Sequence, residues 1–169
     1  MERKRKQGMM STTFMTQAAM IAAIYVVVTM VFAPFGFGEV QVRISEALVV
    51  LPMFTPAAIP GLFIGCIIAN LLGRAIVLDV VFGSLATLIG AVGTYLLRKN
   101  KWLAPIPPIV ANALIVPFVL KHGYGVPLPI PFMMLTVGVG EIISCGILGS
   151  IVRKGLHNYK GIIFAGLAR

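Results

Sequence analysis

Apolar residues fall into six long blocks along the chain, separated by short breaks rich in proline, glycine and charge. The first block runs from Thr12 to Phe32 and stops at Pro34-Phe35-Gly36-Phe37-Gly38. A shorter one, about Arg43 to Phe54, is closed by Pro52 and Pro56. The remaining blocks predict helices over about Ala57 to Gly73, Asp79 to Leu97, Pro105 to Leu120 and Pro131 to Val152. A helix needs ~20 apolar residues to cross a bilayer. The pattern therefore predicts an all-α membrane protein, a bundle of six transmembrane helices.

Composition agrees with lipid as the solvent. Charged residues make up only 11% of the chain and hydrophobic ones 59%, whereas soluble domains carry about 25% charged residues. Six crossings with short connections use nearly all of the 169 residues and leave no room for a soluble catalytic domain. The expected organisation is one domain: an N-terminal tail over 1–11, a transmembrane domain over 12–152 and a C-terminal tail over 153–169. Met1 to Lys6 resembles the basic start of a signal peptide, but the apolar run from Phe14 to Phe32 is too long for one and reads as a retained first helix.

The net charge of +9 would suggest nucleic acid on a soluble protein. Here the charges sit at helix ends, where they set orientation and point to no nucleic-acid partner. With the N-terminus in the cytoplasm, 11 of the 14 basic residues fall on the inner side, leaving only Arg43, Arg74 and Lys121 outside. Both termini are thus expected to be cytoplasmic in a multi-pass cell-membrane protein. Trp102, beside the inner loop that carries Arg98, Lys99 and Lys101, reads as an interfacial anchor. The tail containing His157, Tyr159 and Ile162 to Phe164 reads as a short interfacial segment that contacts either the membrane or a partner.

The polar residues inside this apolar frame carry the functional signal. The acidic residues number five: Glu2, Glu39, Glu46, Asp79 and Glu141. A charge at the bilayer centre costs on the order of 2.5–3.5 kcal/mol even on the lenient insertion scale, so such residues face an interior and mark a substrate or ion path. Were the stretch from Gly38 to Leu48 helical, Glu39, Arg43 and Glu46 would share a face at i, i+4 and i+7. That face could be an ion-pair cluster that satisfies itself, or a ligand-facing one. Glu141 lies ten residues beyond Pro131, ~15 Å into helix six. Gly138, Ser144 and Cys145 share its face, while Ile142, Ile143 and Ile147 point elsewhere. Asn112 lies at similar depth in helix five and could meet Glu141 in one cavity or hold it in a purely structural bond. Helix three has a small-residue face of Ala58, Gly61, Gly65, Ala69 and Leu72 suited to close packing, and a second face with Phe63, Cys66, Asn70 and Gly73.

Cys66 and Cys145 lie in apolar runs without a CxxC or a nearby histidine, and read as buried, unreactive thiols with no metal role. No HExxH, GxSxG or P-loop is present. Neither an enzyme nor a cofactor is expected, and any active transport must take its energy from a partner.

The segment Gln41-Val42-Arg43-Ile44-Ser45-Glu46-Ala47-Leu48, following Phe35-Gly36-Phe37-Gly38, resembles the QueT family: substrate-binding S components of energy-coupling-factor (ECF) transporters for queuosine precursors. The resemblance extends from about Gln17 to Lys154, with Val139-Gly140-Glu141 as weaker support. It implies a six-helix fold with a substrate site near the outer face, and a complex with a transmembrane coupling subunit and two cytosolic ATPases. It also implies an AxxxA motif on helix one that meets the coupling subunit. Ala18/Ala22 and Ala19/Ala23 both fit that motif. The substrate-binding candidates are Glu39, Gln41, Arg43, Glu46, Asn70, Asp79, Asn112 and Glu141. A 7-deazaguanine suits such residues: its N1–H and exocyclic amine can engage a carboxylate, and its acceptors want Asn, Gln or Arg. Phe35, Phe37, Tyr124 and Phe132 are candidates to cover the flat ring.

Two other readings compete. An autonomous carrier or channel could relay protons through Glu141 and Asp79, although the chain is small and shows no internal repeat. An intramembrane enzyme could use Glu46 and Glu141 as acid and base, but no nucleophile stands out.

Overall fold

The structure, a computed structural model, describes residues 12–33 and 43–163, with side-chain surroundings through residue 158. Among the described residues there are six helices and no strand. They are α1 (Thr12–Val31), α2 (Ile44–Met53), α3 (Ala58–Leu72), α4 (Asp79–Leu96), α5 (Ile106–His122) and α6, which starts at Ile130. α1, α4 and α6 are long and apolar enough to cross a membrane, and α2, α3 and α5 are shorter apolar helices. Each coincides with one of the six blocks read from the sequence.

The bundle is wrapped in apolar side chains. Met15, Val27, Leu71, Leu96, Leu135 and Ile147 are all exposed, and Trp102 is 79% exposed. The interior combines an apolar cluster of Ile21, Tyr25, Val49, Leu51, Leu62 and Cys66 with a set of buried polar residues. This arrangement suits hydrocarbon outside and a functional interior. A second apolar cluster, Val116, Leu120, Met133 and Val137, joins α5 to α6.

The contact between α1 and α3 is made of backbone and small residues. A methyl added at Gly61 would come within 2.7 Å of the Ala18 carbonyl oxygen, and one at Gly65 within 3.0 Å of the Ala22 carbonyl oxygen. The Gly61-x-x-x-Gly65 face therefore lets the two helices touch through their main chains. Ala58 and Ala69 are buried with the glycines, whereas Leu72, the last residue of α3, is 60% exposed. Ala18 and Ala22 are thereby consumed inside the bundle, while Ala19 and Ala23 remain exposed. The two AxxxA pairs that look equivalent in sequence are not equivalent in the fold.

Helix six extends further than its apolar run. It comprises an α-helix Ile130–Glu141, a π-helical stretch Ile142–Leu148 and an α-helix Gly149–Ile163. The expected end near Val152 is thus corrected. Arg153 and Lys154 are good helix formers, and one interior glycine, Gly155, costs only ~1 kcal/mol. Leu156 packs against the apolar cluster, which ties the extension to the bundle.

Candidate functional site

Three departures from α-helical geometry place the buried acids. α2 is a 3-10 helix over all 10 of its residues. At ~2.0 Å per residue it covers about 20 Å, a third more than an α-helix of the same length. It buries Ser45 and Glu46. α4 begins with a π-helical turn, Asp79–Gly83, which buries Asp79. Glu141 closes the α-helical part of α6, directly before the π-helical stretch that buries Ser144 and Cys145. π-helical turns concentrate at functional sites because they re-aim side chains within a helix.

Arg43 precedes α2 in extended conformation, with φ −83° and ψ 97°, so the helical face proposed for Glu39, Arg43 and Glu46 does not continue through it. Its Nη2 donates to Asp79 Oδ2 at 3.2 Å, a buried ion pair between the start of α2 and the start of α4. The Tyr124 hydroxyl, from the loop after α5, donates to the same oxygen at 3.1 Å. Burial, and then the Asp79 carboxylate beside it, hold the Tyr124 phenol above its ordinary pKa and keep it a donor. Asn70 Nδ2 donates to the Asp79 main-chain oxygen at 3.3 Å. Gly83 leaves room for this carboxylate, because a methyl there would approach Asp79 Oδ1 to 2.6 Å.

The second group forms where α1, α2, α4 and α6 meet. Glu46 is 1% exposed and Glu141 5%. The Tyr25 hydroxyl donates to Glu46 Oε1, and the Thr87 hydroxyl lies 3.2 Å from the same oxygen. The Cys145 thiol donates to Glu141 Oε2 at 3.2 Å. The Asn112 side chain interacts with both carboxylates, yet Glu46 Oε2 has no hydrogen bond of standard geometry. Asp79 Oδ1 and the hydroxyls of Ser45, Ser84 and Ser144 are likewise buried and without a partner. A buried unsatisfied polar atom costs ~1–3 kcal/mol.

Carboxylate oxygens of Glu46 and Glu141 and the Cys145 sulfur all lie within 4.8 Å of one another. Two full negative charges at that separation would repel by about 3.5 kcal/mol at an effective dielectric of ~20. These three are the described residues that could ligate a metal ion. Structural zinc sites take four ligands, and here the thiol is engaged with Glu141. Two apolar recesses, of about 420 and 440 Å³, open between α4 and α5 and share Leu114 and Ile115. Neither contains a buried acid, so we place the chemistry at the polar cluster.

Of the residues selected from the sequence, Arg43, Glu46, Asn70, Asp79, Asn112 and Glu141 are all buried. Arg43, Asn70 and Asp79 make one group, and Glu46, Asn112 and Glu141 the other. Glu39 and Gln41, with Phe35 and Phe37, lie outside the described residues. The Tyr124 hydroxyl bonds Asp79 while the residue stays 42% exposed, and Phe132 is 49% exposed. Sequence reasoning missed Tyr25 and Thr87. A hydroxyl in the middle of each apolar run was the available signal, since a buried tyrosine needs a partner for its hydroxyl.

No solved structure matches the chain. A stretch of 73 residues is 38% identical to the queuosine precursor transporter QueT of Lactococcus lactis subsp. cremoris (strain MG1363). That match covers 42% of this chain and 43% of the relative, so the chain spans less than half the length of that curated protein. The family model described as QueT transporter matches residues 15–158. The chain belongs to the QueT transporter family, whose members are transporters and not enzymes.

Proposed function

We propose that this protein is the substrate-binding component of an ECF-type importer, which captures a queuosine precursor of the 7-deazaguanine type near the outer face of the cell membrane. A transmembrane coupling subunit and two cytosolic ATPases drive the uptake. The observation that carries this reading is the buried Glu46–Asn112–Glu141 group, in which Glu46 Oε2 has no hydrogen bond of standard geometry. A carboxylate is the acceptor that the adjacent N1–H and amine of a 7-deazaguanine require, and Asn112 offers both a donor and an acceptor.

The distribution of basic residues supports a six-span topology with both termini inside. The exposed pair Ala19 and Ala23 is the part of α1 left to meet the coupling subunit, because Ala18 and Ala22 already face α3. The test is a titration of the detergent-purified chain with 7-deazaguanines and with guanine. Saturable binding, weakened at least about tenfold by Glu141→Gln, is expected without loss of thermal stability. A Glu141→Gln chain that melts earlier but binds as before would make Glu141 a structural residue and remove it from the site.

A further inference from the structure

The loop between α4 and α5 packs three cations into the run Arg98-Lys99-Asn100-Lys101, and the sequence holds no acidic residue between Asp79 and Glu141. All three are exposed. Arg98 folds back on the end of α4, where its guanidinium lies 4.0 Å from the centre of the Tyr95 ring and donates to the Tyr95 main-chain oxygen at 3.0 Å. The Trp102 main-chain N–H donates to Asn100 Oδ1 at 3.1 Å, which shapes the turn. Lys101 Nζ stands 5.6 Å from the centre of the exposed Trp102 ring. Lysines beside an exposed indole are the groups that settle at the level of lipid headgroups.

The loop opens directly onto apolar surface. Gly90 lets α4 close on α5, since a methyl there would come within 2.7 Å of Pro108 Cα. Beside that contact lies the 440 Å³ recess, lined by Ile89, Ile106, Pro107, Val110, Leu114 and Ile115 among others. Ile106 is the first residue of α5, so the recess starts where the basic loop ends. From Ile106 to Ile115 the helix rises ~14 Å. One leaflet of a ~30 Å hydrocarbon core is ~15 Å deep. The recess therefore has the length of one acyl chain, with cations at its mouth.

We propose that the α4–α5 loop and the recess beside it form a binding site for an anionic phospholipid. The phosphate sits among Lys99, Lys101 and Arg98, and one acyl chain lies along Val110 and Leu114. Under the proposed topology this lipid belongs to the inner leaflet, where anionic headgroups attract clustered basic residues. The charge of the loop also decides against other occupants. A second copy of this chain would bring an identical basic loop to the same place. The coupling subunit proposed for α1 has a different side of the bundle, since α1 packs on α2 and α3.

The experiment is native mass spectrometry of the detergent-purified full chain, titrated with phosphatidylglycerol or phosphatidylcholine of identical acyl chains. The wild type should hold phosphatidylglycerol at least about tenfold more tightly. Lys99→Gln with Lys101→Gln should bring that preference to within about threefold. Arg153→Gln with Lys154→Gln removes the same charge elsewhere and should leave the preference intact. Val110→Trp fills the recess from an exposed position and should weaken phosphatidylglycerol at least about threefold. Equal wild-type binding of the two lipids would overturn the proposal, as would equal loss in both charge pairs, which would make the attraction diffuse. Glycerol phosphate that displaces the lipid at equal concentration would reduce the site to a free-phosphate site and overturn the role of the recess. A dimer abolished by Val110→Trp would give the recess to a second copy and overturn the proposal too. The wild-type comparison decides even where a variant fails to fold.

Discussion

Enlarging α1 on its two alanine faces should have opposite consequences. Toward α3, the main chains are already in contact: a methyl on Gly61 would lie 2.7 Å from the Ala18 oxygen and 3.1 Å from the Ile21 Cβ. Overpacking a close contact by a methylene or so costs ~1–3 kcal/mol. For a chain of this size 1 kcal/mol corresponds to roughly 2–4 °C in Tm, so Gly61→Ala should melt roughly 2–12 °C lower. An indole at Ala18 or Ala22 cannot be housed without parting the helices, and those variants should fail to give folded protein. Ala19 and Ala23 are exposed, and substitutions there should stay within about 0.5 kcal/mol of wild type. Ala19→Trp and Ala23→Trp should therefore melt and bind ligand normally yet lose assembly with the coupling subunit. Thermal unfolding in detergent and co-purification of the complex measure the two effects separately. Equal destabilisation by Ala19→Trp and Ala18→Trp would refute the register. Assembly that survives both Ala19→Trp and Ala23→Trp would refute the interface.

The ion pair and the topology give two further expectations. Asp79→Ala removes the carboxylate ion-paired with the buried Arg43 and should cost about 3–5 kcal/mol, whereas Tyr124→Phe removes one neutral donor and should cost about 0.5–1.5 kcal/mol. Thermal melts that reverse this order would show that Tyr124, and not Arg43, is the important partner of Asp79. Reporter fusions after Lys101 and at Arg169 should both read cytoplasmic, and an external signal at either would overturn the six-span arrangement.

The helices were legible because each is an apolar block ended by proline, glycine or charge, and the buried face of α6 was legible because Ile142, Ile143 and Ile147 mark the opposite side. Pairings between distant segments were not. From sequence, Arg43 has acidic neighbours at helical spacing; the fold also pairs it with Asp79, 36 residues on. The AxxxA register shows the limit most clearly. Ala18/Ala22 and Ala19/Ala23 have the same composition and spacing, so α1 alone offers nothing to separate them. Gly61 and Gly65 on another helix break the tie, because their flat face can receive only one of the two pairs.

That choice also fixes what α1 connects. Ala18, Ala22, Tyr25 and Thr29 form one buried stripe, at the i, i+4, i+7 and i+11 spacing of a helix face. Packing Ala18 and Ala22 onto α3 brings Tyr25 inward, where its hydroxyl reaches Glu46. The same rotation turns Ala19 and Ala23 outward. A helix rotated by one residue would bury Ala19 and Ala23, carry Tyr25 away from the interior, and leave Glu46 Oε1 with Thr87 as its remaining hydroxyl donor. The local distortions of α2, α4 and α6 could not be foreseen in this way. A 3-10 or π-helical stretch depends on contacts that form only after the bundle assembles, and Glu46 and Asp79 lie within such stretches while Glu141 adjoins one. The acids themselves were visible as charges in apolar runs; their convergence was set by helix geometry that the sequence pattern does not encode.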